Sequence, residues 1–425
     1  MHVLDIDQAV RDRADDGVQL LTDLVRSAST VGREAGAQEV LALALGDAGF
    51  AVERLPLPLD IDEDPLGGVR QVPYEGRYDV VGRRRGTPSG GRPRSLLLNG
   101  HMDVVPAEDA GGWSVPPFAG VVRDGWLLGR GAGDMKCGFV AGLLAVEALD
   151  AARPGWLTGD LTMLSVIEEE CTGNGTLAAC RAGVLADAAL LLEPTDLDIL
   201  LGGIGIVWVD VLVHGRAGHA EAAERSVNPI LLAPVVLDAL AGLEEAMNAD
   251  HRADPDPAFS AIQRPYAVNV GRLEGGLWPS SVPEATRICI RVGHPGAWSS
   301  DEAVERVDAA VQAAAADHPW LREHPPEVRP SGYRAERYAQ DPDTPLVRAL
   351  AAAHADAHGR APATTTIAST TDARYYVNRF GMPAAAYGPR VRHIHGVDEA
   401  VDLESVLECA STVARFLLAW FGHRP

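Results

Sequence analysis

Five short clusters of histidine and acidic residues stand out in this chain of 425 residues. Each cluster follows an apolar run or a glycine-rich turn, where side chains can gather at one edge of a sheet. The clusters occupy residues 100–103, 131–136, 168–170, 192–195 and 395–399. Together they supply imidazole nitrogens and carboxylate oxygens, which are the ligands that pairs of zinc ions take in hydrolases. We therefore predict a two-metal hydrolytic site.

Three of these clusters each offer a metal ligand, and the neighbouring residues differ in how they favour that role. His101 and Asp103 are two residues apart, so the Asp103 carboxylate can accept a hydrogen bond from the second ring nitrogen of His101. Such a bond selects the tautomer and makes the histidine a better ligand. Asp134 lies among glycines that let the backbone approach a metal closely; a helix N-cap is its alternative role. Glu193 ends an apolar run, as His101 does.

The adjacent glutamates at 168–170 offer both a ligand and a general base. Three neighbouring like charges are destabilising unless a cation or a proton offsets them. Because adjacent side chains point in different directions, Glu169 can hold a water molecule as general base if Glu170 binds metal. An exposed charged turn is the alternative. Near the C-terminus, spacing alone does not choose between His393 and His395.

The overall charge and the cysteine content limit the possible partners and location. The chain carries 59 acidic and 37 basic residues, for a net charge of −22, so nucleic acid and anionic membrane surfaces are disfavoured as partners. Five scattered cysteines without a C-x-x-C pair favour a cytoplasmic protein without a disulfide framework. The only lysine is Lys136. We interpret it as a compact cation at a place too narrow for a guanidinium, with chance placement as the alternative.

Strand and helix patterns alternate along most of the chain. The main predicted strands are 95–99, 161–167 and 188–192, and the main predicted helices are 7–26, 138–149, 344–358 and 403–421. This alternation favours an α/β fold with a mostly parallel sheet covered by helices. Ligands collect at the carboxyl ends of strands in such sheets, and three of the clusters lie just past such ends.

The pattern changes at residue 205. Strand, helix, strand, strand and helix are predicted in turn at 206–214, 228–247, 266–273, 286–292 and 300–316, with a closing strand near 327–330. This order is typical of a ferredoxin-like α+β unit. We therefore predict a catalytic domain formed by residues 1–204 and 336–425, with an inserted lid and dimerisation domain at 205–335.

Taken together, the clusters resemble the zinc-dependent peptidase family M20, which includes acetylornithine deacetylase, succinyl-diaminopimelate desuccinylase, aminoacylase and glutamate carboxypeptidase. The resemblance covers nearly the whole chain and rests on five motifs in the family's order. These are Gly100-His101-Met102-Asp103-Val104-Val105-Pro106, Gly129-Arg130-Gly131-Ala132-Gly133-Asp134-Met135-Lys136, Glu169-Glu170 with Gly175, Glu193-Pro194-Thr195, and His395 before Asp398-Glu399.

The resemblance implies two zinc ions, for which Co²⁺ or Mn²⁺ could substitute. The implied ligands are His101, Asp134 and Glu193 for one ion, and Asp134, Glu170 and His395 for the other. It thus selects His395 over His393. Glu169 would be the general base that activates a metal-bound water, and Asp103 would orient His101.

The resemblance also implies a homodimer formed through the inserted domain. Residues 215–220 resemble the lid segment whose histidine reaches the active site of the partner subunit. His219 is therefore a candidate to stabilise the developing oxyanion in trans. A histidine on the surface of the lid is the alternative.

Several candidate substrate-binding residues depart from the family pattern. Ser280 stands where the family often has asparagine, and Arg291 lies one position earlier than the usual arginine before Pro295-Gly296. Cys137 follows Lys136 where many members have glycine. Asp372 and Arg374 lie in a segment that resembles one near the family's substrate site. Arg374 could meet a substrate carboxylate or form a structural ion pair.

We therefore expect a metal-dependent amide hydrolase that removes the acyl group from an N-acyl amino acid or a related N-acylated amine. A metallo-carboxypeptidase or dipeptidase is the alternative within enzymes. A catalytically silent binding or regulatory subunit is a more distant alternative, and it would be favoured by loss of Glu169 or of a metal ligand. The sequence retains Glu169 and all of the implied metal ligands.

Overall fold

The computed structural model describes residues 5–87, 94–107 and 110–422. Its strands are, in chain order, β1 (Ala51–Pro56), β2 (Tyr78–Arg84), β3 (Leu96–His101), β4 (Val121–Arg123), β5 (Trp126–Leu128), β6 (Leu161–Val166), β7 (Ala189–Leu191), β8 (Ile199–Gly203), β9 (Gly205–His214), β10 (Gly218–His219), β11 (Val268–Gly275), β12 (Ser281–Val282), β13 (Ala285–His294), β14 (Glu327–Ala335), β15 (Tyr338–Ala339), β16 (Thr364–Ile367), β17 (Ala384–Ala386), β18 (Val391–Arg392) and β19 (Ala400–Asp402). Its α-helices are α1 (Ile6–Arg11), α2 (Ala14–Arg26), α3 (Ala35–Asp47), α4 (Cys137–Ala152), α5 (Asn174–Arg181), α6 (Ala233–Ala253), α7 (Ser300–Ala316), α8 (Pro319–Glu323), α9 (Pro345–His358) and α10 (Leu403–Trp420).

The largest sheet has a parallel centre and antiparallel margins. Its strands follow the order β1-β2-β6-β3-β7-β17-β8-β15, and β16 pairs with β8. Strands β6, β3, β7 and β17 run parallel to one another, whereas β1, β2, β8 and β15 each form antiparallel pairs. The predicted α/β fold is thus confirmed.

Alternate residues of the central strands enter two separate hydrophobic layers. Leu96 and Leu98 of β3 belong to the larger layer, together with α1 to α4, α9 and α10. Leu97 faces the opposite layer, which includes α5. Successive side chains of a strand point to opposite faces, so an uninterrupted leucine run is what a strand covered on both sides requires.

Helix α4 lies against the end of β7 and is buried along almost its whole length. Gly138, in its first turn, lies so close to the sheet that a Cβ atom there would be 1.9 Å from the carbonyl oxygen of Leu192. The small residues of α4 therefore let the helix approach the strand that leads to Glu193.

A second sheet is formed by the segment between β8 and β15. Its four antiparallel strands have the order β11-β13-β9-β14, which is that of a ferredoxin-like unit. Helices α6 and α7 pack against it around a hydrophobic cluster of its own, to which β9 contributes alternate valines from Val207 to Val213. The predicted α+β unit is thus present.

Two predicted helices differ from the observed ones. The single helix predicted at 7–26 is wrong, because the chain leaves the helical region at Arg13 and forms α1 and α2 instead. The break lets α1 pack against α10 while α2 packs against α3. The helix predicted at 228–247 begins later, at Ala233, because Asn228 caps a short separate turn before it. Tertiary packing and local capping override the helical periodicity in both places.

None of the described helices is long and apolar enough to cross a membrane. All five cysteines lie among the described residues, and each of them is free. The absence of disulfides among these cysteines agrees with their scattered positions in the sequence.

Candidate metal centre

The ends of three parallel neighbours bring the first acidic clusters together. Strand β3 ends at His101, β6 leads into the turn with Glu169 and Glu170, and β7 is followed within two residues by Glu193. Because β6, β3 and β7 are adjacent and parallel, their carboxyl ends lie at the same edge of the sheet. This edge is where ligands bind in open α/β sheets.

Asp134 lies between two histidines that come from distant parts of the chain. Its Oδ1 is 3.1 Å from Nε2 of His101, and its Oδ2 is 3.3 Å from Nε2 of His395. His101 also lies 3.8 Å from the carboxylate of Glu193, and His395 lies 3.1 Å from that of Glu170. The structure therefore assembles two groups of possible ligands that share Asp134. His393 is exposed and lies outside both groups.

The main-chain carbonyl of Asp103, and not its carboxylate, binds His101. The His101 Nδ1 to carbonyl distance is 2.8 Å, whereas the nearest carboxylate oxygen of Asp103 is 3.9 Å away. That carboxylate instead accepts hydrogen bonds from the main-chain N–H groups of Glu169 and Glu170, at 3.2 and 3.0 Å. The predicted bond between the two side chains is thus wrong. Two convergent N–H donors hold the carboxylate, and the carbonyl holds the His101 ring through Nδ1 with Nε2 directed at Asp134.

Residues 168–170 divide three tasks among adjacent side chains. Glu168, at a φ of 73°, is fully buried and pairs with Arg77 at 2.5 Å. Glu170 faces His395, while Glu169 faces the cavity in front of the two ligand groups. The Tyr333 hydroxyl donates to the main-chain carbonyl of Glu169, so the backbone of Glu169 is held on both sides.

Four side chains at the centre have pKa values shifted from their ordinary ranges. Burial raises the pKa of Glu193 to about 8 and raises the pKa of Glu169 well above its usual value. Burial alone would lower the pKa of His395, but its bonds to Asp134 and Glu170 raise it to about 11. Hydrogen bonds from the two histidines lower the pKa of Asp134 although burial opposes this. The charged forms of the two glutamates are therefore disfavoured at this centre unless a cation or a proton offsets them.

The donor set fits a pair of zinc ions. In each of the two groups, the ligand atoms lie within 4.8 Å of one another. Imidazole nitrogens and carboxylate oxygens are ligands that zinc accepts, and the two oxygens of Asp134 face different histidines, as a bridging carboxylate must. Two cations there would offset the charge that burial makes costly.

A cavity of about 800 Å³ opens in front of these residues. One wall comes from the inserted sheet and includes Ile206, Trp208, Arg291 and Tyr333. Arg291 is the only arginine or lysine among the lining residues, and it has no carboxylate within ion-pair distance in the described part of the chain. Among the described residues, its guanidinium donates hydrogen bonds to the carbonyl of Ala368 at 3.3 Å and to the Ser369 hydroxyl at 3.4 Å. Burial lowers its pKa, as expected for a cation without a partner anion.

Four other predicted site residues lie away from the cavity lining. Arg374 is buried and pairs with Asp372 at 3.1 Å, so these two residues form the structural ion pair that was one of the two alternatives. His219 and Ser280 are both exposed: His219 lies on β10 and pairs with Ser281 of β12, and the carbonyl of Ser280, just before β12, accepts from the N–H of Ala220. Neither residue belongs to the two ligand groups or to the cavity lining of its own chain.

Three residues at the centre have no role in the sequence analysis. Tyr333 holds the backbone of Glu169, Glu399 accepts hydrogen bonds from the loop of Asp134, and Arg130 pairs with Glu399. Glu399 and Arg130 lie inside recognised sequence motifs, and this position indicated that they are near the site. The sequence did not indicate which groups they bond to. Tyr333 lies on β14 of the second sheet, and nothing in its local sequence indicates a contact with the glutamate turn.

Comparison with known proteins identifies the family. The model of peptidase family M20/M25/M40 matches residues 97–419. The N-formyl-4-amino-5-aminomethyl-2-methylpyrimidine deformylase of Bacillus subtilis is 28% identical over 92% of this chain and 90% of its own. The succinyl-diaminopimelate desuccinylase of Caulobacter vibrioides is also 28% identical, over 96% of both chains.

Solved structures share the same fold over almost their full length. The di-peptidase Dug1p from Saccharomyces cerevisiae has a TM-score of 0.80 at 15% identity and covers 98% of both chains. Human carnosine dipeptidase 1 has a TM-score of 0.75 at 17% identity, with the same coverage. The chain belongs to peptidase family M20/M25/M40. It is a metal-dependent hydrolase of amide bonds.

Proposed function

We propose that this enzyme is a two-zinc deacylase that releases the acyl group from an N-acyl amino acid or a related N-acylated amine. The observation that carries the proposal is the unpaired guanidinium of Arg291 in the wall of the same cavity that holds both ligand groups. A carboxylate on the amine part of the substrate would satisfy this cation. The relatives named deformylase and desuccinylase support removal of a small acyl group.

The proposed metal-binding residues are those of the two groups: His101, Asp134 and Glu193, and Asp134, Glu170 and His395. Zinc ions held there would supply Lewis-acid activation of a water molecule and of the amide carbonyl. Co²⁺ and Mn²⁺ are proposed substitutes, because the same nitrogen and oxygen donors accept them.

Glu169 is the proposed general base. Its main-chain N–H donates to Asp103 and its carbonyl accepts from Tyr333, so the direction of its side chain is restricted. It takes the proton from the attacking water and returns it to the amine nitrogen as the amide bond breaks. A pKa raised by burial suits a carboxyl group that must first accept and then donate a proton near neutral pH.

A substrate panel tests the proposed reaction. We expect zinc-loaded protein to hydrolyse N-formyl-, N-acetyl- or N-succinyl-amino acids faster than dipeptides, with release of amine as the readout. Glu169→Gln should retain both zinc ions and lose about 10²–10⁴-fold in turnover. Turnover of dipeptides alone would instead establish the peptidase alternative, and a Glu169→Gln enzyme within about threefold of the parent would exclude this base.

We also propose a homodimer in which His219 acts at the centre of the partner subunit. The support is the exposure of His219 on β10 and of Ser280 just before β12, together with apolar side chains that are exposed nearby in the second sheet and its loops. Leu231, Leu277 and Trp278 are 75%, 103% and 70% exposed, and exposed apolar patches of this kind mark interaction surfaces. An imidazole N–H there would donate to the oxygen that becomes negative as water adds.

Complementation tests catalysis in trans. His219→Ala and Glu169→Gln homodimers should each be nearly inactive. Mixed dimers should recover one competent site, because one subunit then carries Glu169 and receives His219 from its partner. A fully active monomer, or mixtures that stay inactive after subunit exchange, would exclude the proposal.

The domain limits are likewise a proposal, with residues 205–335 as the inserted domain and residues 1–204 and 336–425 as the catalytic domain. The support is the change of sheet between β8 and β9 and again between β14 and β15. A cytoplasmic location is proposed because the five cysteines are free, as is usual in reducing compartments.

A further inference from the structure

Glu399 lies outside both ligand groups but contacts the backbone beside the ligand that they share. Its carboxylate is fully buried. One oxygen accepts hydrogen bonds from the main-chain N–H groups of Gly131, Gly133 and Asp134, at 2.9, 3.0 and 3.1 Å. Three N–H groups that converge on one point form an anion-binding concavity. The carboxylate of Glu399 therefore determines the course of the loop that presents Asp134.

The other oxygen of Glu399 links this loop to the second histidine. It accepts from the guanidinium of Arg130, which is itself buried. A second nitrogen of Arg130 donates to the main-chain carbonyl of His395 at 3.1 Å. The carbonyl of Glu399 also accepts from the N–H of Gly129 at 2.9 Å. A buried carboxylate–guanidinium pair thus joins the segment that carries Asp134 to the segment that carries His395.

The geometry requires both partners of this pair. A buried carboxylate is costly unless it is paired and hydrogen-bonded, and Arg130 supplies the opposite charge. Without Glu399, the N–H groups of the loop would lose their common acceptor. Without Arg130, the carbonyl of His395 would lose its hydrogen bond to the segment that carries Asp134. Among the described residues, the hydrogen bond from the Gly129 N–H to the Glu399 carbonyl and the pairing of His395 with Asp134 also connect these two segments.

We propose that Glu399 is a positioning residue that, with Arg130, sets the spacing between Asp134 and His395 and so determines the affinity of the second zinc ion. The inference rests on the proposed metal ligands. Partners that orient metal ligands typically contribute about 10–100-fold to metal affinity. Because Asp134 serves both ions but His395 serves one, the ion at Asp134, Glu170 and His395 should weaken more.

Zinc binding by the whole chain tests this role. We expect Glu399→Gln to bind the second zinc equivalent about 10–100-fold more weakly in a chelator competition, and to change the visible absorption of the Co²⁺-loaded protein. Asp402→Asn is the matched control. Asp402 lies on the same segment, and its carboxylate bonds to Arg390 at 3.2 Å and to the N–H of Glu404, whereas among the described residues it bonds to neither ligand loop. Its zinc affinities should equal those of the wild type.

A second variant separates positioning from folding. Glu399→Gln leaves the Arg130 guanidinium buried without its anion, so the double variant Arg130→Gln/Glu399→Gln removes both charges. Positioning predicts weaker second-site zinc binding in both variants. The inference is overturned if the double variant binds two zinc ions with wild-type affinity, even when urea unfolds its metal-free form more easily. If the wild type itself binds no zinc, the proposed function fails instead.

Discussion

Replacing glycine by alanine at three helical positions should change stability in opposite directions, depending only on what surrounds each glycine. A Cβ at Gly138 would lie 1.9 Å from the carbonyl oxygen of Leu192, which belongs to the backbone. A Cβ at Gly142 would lie 3.1 Å from the flexible ends of Leu192 and Met163. A Cβ at Gly242 would meet nothing within 4 Å.

The distances decide which effect dominates at each position. Alanine favours a helix over glycine by about 0.5–1 kcal/mol. At Gly242 nothing opposes this gain, so Gly242→Ala should be stabilising by about that amount. At Gly142 the neighbouring methyl groups can move by a few tenths of an ångström, so the two effects should nearly cancel. At Gly138 the helix or the strand must shift by more than 1 Å, and overpacking of this kind costs about 1–3 kcal/mol or more. Gly138→Ala should therefore be clearly destabilising.

Urea unfolding of metal-free protein measures all three changes in one assay. The m-value should stay constant, so that the midpoint reports the free energy of unfolding. Gly138→Ala should also weaken zinc binding, because Leu192 precedes the proposed ligand Glu193. Wild-type stability in Gly138→Ala, or a loss in Gly242→Ala, would refute the reasoning from local space.

Three further predictions concern other parts of the molecule. Lys136→Arg should lower activity and zinc content, because the fully buried Nζ donates to the Leu24 carbonyl at 2.7 Å and a guanidinium is too broad for this place. If metal analysis finds unchanged zinc content, the position of the lone lysine is an accident of composition. Tyr333→Phe should lower kcat by about fivefold without loss of zinc, because the hydrogen bond that holds Glu169 contributes about 1 kcal/mol. Steady-state kinetics on the best N-acyl substrate measures this change, and an unchanged kcat would contradict the prediction. His354 is buried, and its pKa in the folded protein is lowered to about 4, below the value in the unfolded chain. The free energy of unfolding should therefore be highest above about pH 6.5 and fall by up to about 3 kcal/mol as the pH falls to 4. Across this range, the urea midpoint should depend less on pH in His354→Gln than in the wild type.

The central strands and the ferredoxin-like order follow from local patterns. The leucine run of β3 reads as a strand because only a sheet covered on both faces buries every residue of such a run. The alternating valines of β9 reflect the period of two that one buried face imposes. The break between α1 and α2 has no such local signal, because it depends on packing against α3 and α10.

The residue types of the proposed site also follow from the sequence. A histidine or a carboxylate just past a strand end can be recognised from the sequence, because a few residues are enough to show both the end of the strand and the type of ligand. The choice of His395 over His393 came from family resemblance, and the structure places His395 beside Glu170 and Asp134. No local pattern distinguishes two exposed histidines two residues apart.

Hydrogen-bond partners were decided by the tertiary structure alone. Asp103 accepts from the turn of Glu169 and leaves His101 to its carbonyl, and Arg374 turns to Asp372 and away from the cavity. Glu399 reaches the N–H of Asp134 across 265 residues of chain. A side chain's type is a local property, whereas its partner depends on which distant donors folding brings within about 3 Å. The sequence by itself therefore determined which groups could do the chemistry, and the fold decided which of them hold the others in place.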